Sequence, residues 1–299
     1  MTQTYRLTAP PATLDLSTRT PDTPARQALR RFRRHRLAMV GIVIIAVLVV
    51  ASLLGSTEAA LTQNLQDMNQ PPSAGHLLGT DRIGRDILAR TLVGGRISLS
   101  VGLVAVTFST SIGIVLGALA GYYRGWLDHL IMRIVDVVLS FPVIILLLCV
   151  ASLVGPSIFN VMAMIGLLTW PVPCRIMRGQ FLSIRERAYV EAARCLGVGD
   201  LRIARRHILP NAIAPVLVYA SFAVATAVLL EAGLSYLGLG VQPPTPSWGN
   251  MLNTARNITV LERAAWQWVP PAIATVLFVL AVNFVGDGIR DALDPQAAR

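Results

Sequence analysis

The chain has 299 residues, 54% of them hydrophobic and only 14% charged, with a mean hydropathy of +0.59. Soluble domains carry roughly 25% charged residues, so an ordinary soluble fold is excluded. All 26 basic residues are Arg, giving a formal net charge of +10; without Lys the chain supplies neither a P-loop lysine nor a Schiff-base amine. The Arg follow membrane sides instead of gathering on one soluble unit, which argues against nucleic-acid binding. Cys149, Cys174 and Cys195 lack metal spacing and read as small buried hydrophobes, and the four His form no ligand motif.

Residues 1–36 form a basic tail ending in RQALRRFRRHR, a run that either binds anionic lipid or fixes topology. Residues 37–55 carry no charge and are long enough to cross a hydrocarbon core of about 30 Å. The run is too long for a signal peptide and no small-x-small cleavage site follows promptly, so it is expected to stay as the first anchor. An outer loop, 56–96, holds Asp81, Arg82, Arg85, Asp86 and Arg90. Pairing at i,i+4 (Asp81–Arg85, Arg82–Asp86, Asp86–Arg90) predicts a salt-bridged helix there, with an outer gate as the functional alternative.

A core spanning 97–290 contains five further apolar stretches, at 97–122, 130–154, 157–173, 212–230 and 271–285, followed by a tail at 291–299. The chain is therefore an all-α integral membrane protein with six transmembrane helices. Ser109, Gly113, Gly117 and Gly121 recur every four residues, a groove for close helix packing within a bundle or at a subunit interface. Pro171 and Pro173 are expected to distort the last turn of the fourth span, and Pro142 and Pro215 to hinge theirs. With the N-terminus inside, inner segments hold twenty Arg and outer segments six, so both termini are expected in the cytoplasm. Asp136 is expected to pair with Arg133. Glu231 ends the fifth span near the outer face, where it either packs the EAGLSYLGLG turn or meets a positive solute group. The outer loop at about 233–269 carries Trp248, Trp266 and Trp268, read as interface anchors.

Between the fourth and fifth spans lies a polar segment, about 181–210, containing YVEAARCLGVGDLRIARRHILPN. Apolar residues at Phe181, Ile184, Ala188, Ala192 and Cys195 follow helical spacing. Gly197 and Gly199 break that helix, Asp200 caps a second short one, and Pro210 closes it. Ala192 and Ala193 offer little bulk to an approaching surface. Glu191 sits among them, flanked by Arg187 and Arg194, which are placed to orient it. An acid in that patch and a glycine turn fit a moulded protein contact better than a loop floating on lipid.

Glu191-Ala192-Ala193, then Gly197, then Leu209-Pro210 resemble the E-A-A loop of permeases of binding-protein-dependent ABC importers, with His207 at the usual Ile position. LLGTDRIGRDILARTLVGGRISLSVG, EAGLSYLGLG, PPTPSWGNML and FVGDGIRDALDP are similar to blocks of the second permease of dipeptide and oligopeptide importers. The resemblance implies a type I importer fold in the bacterial cytoplasmic membrane whose E-A-A loop docks as a coupling helix on a cytoplasmic ATPase. It implies that Arg187, Glu191, Ala192, Ala193, Gly197, Leu209 and Pro210 form that dock. It also implies a related second permease, two ATPase domains that hold the ATP and Mg, an external binding protein and a peptide substrate. This chain itself would hold no cofactor and catalyse nothing. Within the same architecture nickel, glutathione or another small solute would fit. Asp81, Arg85, Glu231 and Trp248 are candidates for a substrate path, a gate or a binding-protein dock. An autonomous channel or carrier, the alternative class, would leave the polar loop without a purpose.

Overall fold

A computed structural model describes residues 24–293; the remainder of both tails lies outside the described residues. The chain is nearly all helix. A short basic helix α1 (Pro24–Arg34) leads into α2 (Arg36–Leu54), and α3 (Thr57–Leu61) begins the following loop. The long α4 (Ile87–Tyr123) follows, then α5 (Gly125–Leu139), α6 (Val143–Val154), α7 (Ile158–Thr169) and α8 (Pro171–Ile184). Next come the short α9 (Ala188–Cys195) and α10 (Asp200–Ile203), then α11 (Leu209–Tyr236). The loop helices α12 (Trp248–Leu252) and α13 (Ile258–Arg263) precede the final α14 (Val269–Leu293).

Close contacts fix the direction of each helix. A Cβ added at Gly41 would stand 2.6 Å from Ala281 O, and one at Gly288 would meet Ala38 and Phe32. The start of α2 therefore lies beside the end of α14, and the two run antiparallel. At the other end of α2, Arg96 of α4 donates to Ser52 O (2.6 Å), Leu53 O (2.7 Å) and Gly55 O. The Leu53 and Gly55 carbonyls lack an intrahelical donor at this C-terminus, Ser52 O also accepts Gly55 N–H (3.3 Å), and a cation there suits the helix dipole. Both ends of the described chain thus share one face of the bundle, termed here the terminal face; Gly55 and the start of α4 mark the far face.

The spaced small residues of α4 receive α8. Added Cβ atoms would stand 2.7 Å from Pro173 Cγ at Gly113, 2.8 Å from Met177 Cβ at Gly117 and 2.6 Å from Phe181 Cβ at Gly121. Successive glycines meet successive turns of α8, so the two helices run parallel and in backbone contact. The groove is filled from within the chain.

The apolar stretch at 130–154 is not one straight helix. α5 and α6 meet at 87°, because Pro142 disfavours helical angles at Phe141 and supplies no N–H to the preceding turn. Among the described residues five helices are long and apolar enough to cross a membrane, and the bent pair makes a sixth. Pro171 and Pro173 do not end the fourth span. They occupy the first turn of α8, where a missing N–H costs nothing, so Ile158–Ile184 forms one 27-residue stretch. Pro210 likewise does not close a short helix: α10 runs into α11 through a wide turn in which Leu209 N–H bonds Ala204 O, five residues back, relieving the clash that a proline ring causes.

Gly117→Val places a branched side chain against the α8 backbone and should cost about 1–3 kcal/mol of overpacking. A clear fall in detergent melting temperature is expected, with Gly179→Ala, which meets nothing within 4 Å, as an unaffected control.

Candidate functional site

On the terminal face, α9 and α10 form a helix–turn–helix moulded onto the bundle. Val190, Ala193, Ile203 and Ile208 are buried with Met177, Phe181 and Ile184. Ala193 therefore serves packing within the chain, whereas Ala192 is exposed. Gly197 has φ +75° with open space around it, so backbone angle and not crowding selects glycine. Its N–H bonds Arg194 O (3.0 Å) and Val198 N–H bonds Ala193 O (3.1 Å), the paired ending that satisfies orphan carbonyls. Gly199, not Asp200, precedes α10. The Asp200 carboxylate instead accepts the Tyr122 hydroxyl at 2.6 Å.

Further polar contacts bolt this element to the end of α4. Arg185 donates to Tyr122 O and lies 5.9 Å from the Tyr122 ring centre. Arg124 pairs with Glu186 at 2.5 Å. Beside them Arg178 grips Asp128 with two bonds of 2.5 and 2.6 Å, and Asp136 pairs with Arg175 (2.5 Å) in place of Arg133. Glu191 is exposed and its carboxylate has no hydrogen bond or ion pair among the described residues, so neither Arg187 nor Arg194 orients it. Beside it stand exposed Ala192, Cys195 and Leu196, the last 83% exposed. Leu209 is half-buried and Pro210 exposed, both at the joint with α11. A cleft of about 750 Å³ next to α9 is lined by Gly197, Asp200, Leu201, Arg202, Arg205 and Arg206. Rigid support therefore lies beneath an unpaired acid and an exposed leucine.

At the far end, Glu231 of α11 is 0% exposed. Its Oε2 accepts Ser98 Oγ (2.9 Å), and its Oε1 accepts Ser235 Oγ (2.7 Å) and Ser247 Oγ (2.9 Å). Each hydroxyl in turn accepts a backbone N–H: Trp248 to Ser98 (3.1 Å), Val241 to Ser235 (3.1 Å) and Asn250 to Ser247 (3.1 Å). A hydroxyl has one proton to give, so all three point inward at the carboxylate. Three relays thereby tie residues 241–250 to α4 and α11. Trp248 is 1% exposed, packed edge-on to Phe278 and bonded through Nε1 to Thr91 O (2.9 Å). It is a core residue and not an interface anchor, and neither it nor Glu231 meets solvent in this conformation.

Of the charged run at 81–90, residues 81–86 form a turn and not a helix, and only Arg90 lies in α4, which begins at Ile87. Asp81 accepts Ile83 N and Arg85 N (3.0 Å each) and pairs with Arg85 Nε at 2.7 Å. The other two expected pairs are absent: Asp86 caps Ala89 N (2.9 Å) and bonds His76 Nδ1 (2.9 Å), while Arg90 reaches Asp81 at 3.8 Å. Thr80 O receives Trp266 Nε1 (3.2 Å) and Gln267 Nε2 (3.3 Å), closing the first outer loop on the last. Ser98 and Ser247 around Glu231 and the Tyr122–Asp200 bond escape sequence reading because their partners are 133, 16 and 78 residues apart, whereas Ser235, at i+4 from Glu231, lies within reach of helical spacing. Cys174 is buried as expected, but Cys149 and Cys195 are exposed.

With this geometry in hand, the chain matches two family models. Residues 113–299 match the "binding-protein-dependent transport system inner membrane component" model and residues 23–72 the "N-terminal TM domain of oligopeptide transport permease C". The chain belongs to this family of inner membrane transport components. A protein named as a peptide permease from Brucella suis biovar 1 (strain 1330) is 47% identical over 92% of each chain. The dipeptide transport system permease protein of Alkalihalophilus pseudofirmus is 41% identical over 92% of this chain and 90% of its own. The glutathione transport system permease protein of Escherichia coli O6:K15:H31 is 42% identical over 92% and 91%. An inward-facing MetNI methionine ABC transporter chain shares the fold, with TM-score 0.56 and 21% identity over 69% of this chain and 97% of that one. The all-helical bundle is thus the type I ABC importer permease fold, and the inner membrane component described here carries the α9–α10 element on its terminal face.

Glu231→Ala leaves three inward hydroxyls without their acceptor, at about 1–3 kcal/mol for each group stranded in the core. It should lower the melting temperature far more than Glu231→Gln, which keeps one acceptor oxygen, and raise hydrogen exchange across 241–252. His76 lies in the first outer loop, and its hydrogen bond to Asp86 raises its pKa above the usual 6.5 against a smaller lowering by burial. A raised folded pKa gives stability that is full below 6.5 and lost as pH rises through the raised value. Proteolytic resistance of residues 67–86 should therefore fall with rising pH in that window, and His76→Gln should abolish the dependence.

Proposed function

We propose that this chain is one of two membrane-spanning subunits of an ATP-driven importer that moves short peptides into the bacterial cytoplasm. It forms half of the pathway and is itself non-catalytic. The terminal face is the cytoplasmic one, a reading supported by the twenty Arg assigned to it in the sequence. A related permease completes the pathway, two cytoplasmic ATPase domains bind ATP and Mg, and an external binding protein delivers the solute. Relatives named for peptide, dipeptide and glutathione transport favour a short peptide, glutathione being a tripeptide.

The observation that carries the coupling is the unpaired Glu191 on the outward side of α9, above an inner side bolted to α4. An exposed carboxylate beside exposed Ala192 and Leu196 suits an Arg-bearing surface cleft on the ATPase. Closure of the ATPases moves the docked helix, and the Tyr122, Arg185 and Arg124 contacts carry that motion into α4. Ligand-driven shifts require contacts that differ between states, and a rigid dock supplies them.

The test is affinity purification from native membranes in mild detergent. Wild type should bring an ATPase and a second permease. Glu191→Arg combined with Gly197→Pro, which denies the turn its positive φ, should lose the ATPase, keep the permease and cut peptide uptake at least about tenfold. An ATPase retained by the variant would remove α9 as the main dock; a wild type with neither partner would remove the importer reading.

A further inference from the structure

Between α4, α7 and α11 lies a second cleft of about 180 Å³, lined among others by Val106, Thr169, Tyr219, Phe222, Thr226 and Leu230. Four of these fall on one stripe of α11, at positions 219, 222, 226 and 230, which is helical spacing for a single face. Every lining residue is uncharged. Thr169 and Thr226 donate their hydroxyls to carbonyls one turn back, Ile165 O (2.7 Å) and Phe222 O (3.5 Å), and keep acceptor lone pairs free. Tyr219 has no hydrogen-bond partner among the described residues.

Lipid does not explain this surface. A hydrocarbon chain offers no partner to a phenol, and an unpaired hydroxyl in such surroundings is costly. The contrast within the molecule is direct. A larger groove of about 280 Å³ between α2, α4, α11 and α14 is lined by Ile45, Leu99, Phe278 and Val282, with Ser221, bonded to Val218 O (2.7 Å), as its one polar side chain against three in the Tyr219 cleft. That groove suits acyl chains; the Tyr219 cleft suits a wet path. Leu230 at its far end adjoins Glu231, so the three-serine latch sits at its far-face end.

We infer that Tyr219, Thr226 and Thr169 line the translocation path and bind the main chain of the passing peptide. This rests on the peptide-importer reading above and adds the recognition chemistry. The free Tyr219 proton serves a peptide C=O and the lone pairs of Thr169 and Thr226 serve peptide N–H groups, while the absence of charge leaves side-chain charge unread. Phe222 and Leu230 supply apolar contact that any side chain tolerates. Selectivity for the peptide backbone over the side chain follows from the lining.

Two measurements test this in native membranes. Thr226→Cys and the neighbouring exposed Leu229→Cys are treated with a charged, membrane-impermeant methanethiosulfonate, and labelling is read at each cysteine by mass spectrometry. Thr226→Cys should label at least about tenfold faster than Leu229→Cys, and ATP with vanadate should change its rate. Equal, negligible labelling in both states would overturn the path and make the stripe a helix–helix contact. In uptake assays with tri-alanine and tri-lysine, Tyr219→Phe should lower transport of both by a similar factor, roughly three- to tenfold for one lost hydrogen bond. Unchanged uptake of both, or a loss confined to one, would overturn main-chain recognition. Should wild type import neither peptide, the peptide reading and main-chain recognition fail together, whereas the labelling ratio still decides whether the cleft is an aqueous path.

Discussion

Backbone contact between α4 and α8 is the constraint on which the remaining architecture depends. Glycines at 113, 117 and 121 let two helices approach to a distance that any side chain would forbid, and dispersion over the matched surfaces replaces the hydrophobic drive that lipid removes. With α8 held parallel to α4, Ile184 and the chain after it emerge beside Tyr122. That juxtaposition lets Arg185 reach the Tyr122 carbonyl and Asp200 its hydroxyl. The moulded α9–α10 element is a consequence of helix packing as much as of its own sequence.

α4 then joins two polar assemblies at opposite faces. From Ser98 in its first third, bonded to Glu231, to Tyr122 at its end, α4 runs roughly 36 Å at 1.5 Å per residue. An uninterrupted helix resists bending, so the two assemblies are joined by one stiff body. α11 forms the second such member, since the wide turn at Ala204–Ile208 keeps it continuous with α10 despite Pro210.

The charged side chains held inside the bundle are matched by specific partners. Glu231 is tolerated because three hydroxyls face it and three backbone N–H groups fix the direction of those hydroxyls. Arg96 spends its guanidinium on the carbonyls at the end of α2. Asp128 and Arg178 neutralise one another through two bonds. The Tyr219 phenol, by contrast, has no partner among the described residues, and its cleft ends beside Glu231.

The sequence by itself determined the membrane class, the apolar stretches, the small-residue groove and the glycine turn of the polar loop, because these rest on composition and on periodicities of a few residues. It also singled out Glu231 as an acid at the end of a span, packing the turn that follows or meeting a solute; its full burial came from the tertiary structure. Tertiary structure alone decided what each partner was. Asp86 turned to His76, Asp136 to Arg175, Ala193 to the interior, and the groove to α8, in each case because a group's nearest neighbour in space lies ten or more residues along the chain. The prolines show the same division. Pro142 breaks its helix by 87° whereas Pro171 and Pro210 do not, since the cost of a missing N–H depends on whether its turn is a first turn or a widened one, and that is settled only when the helices pack.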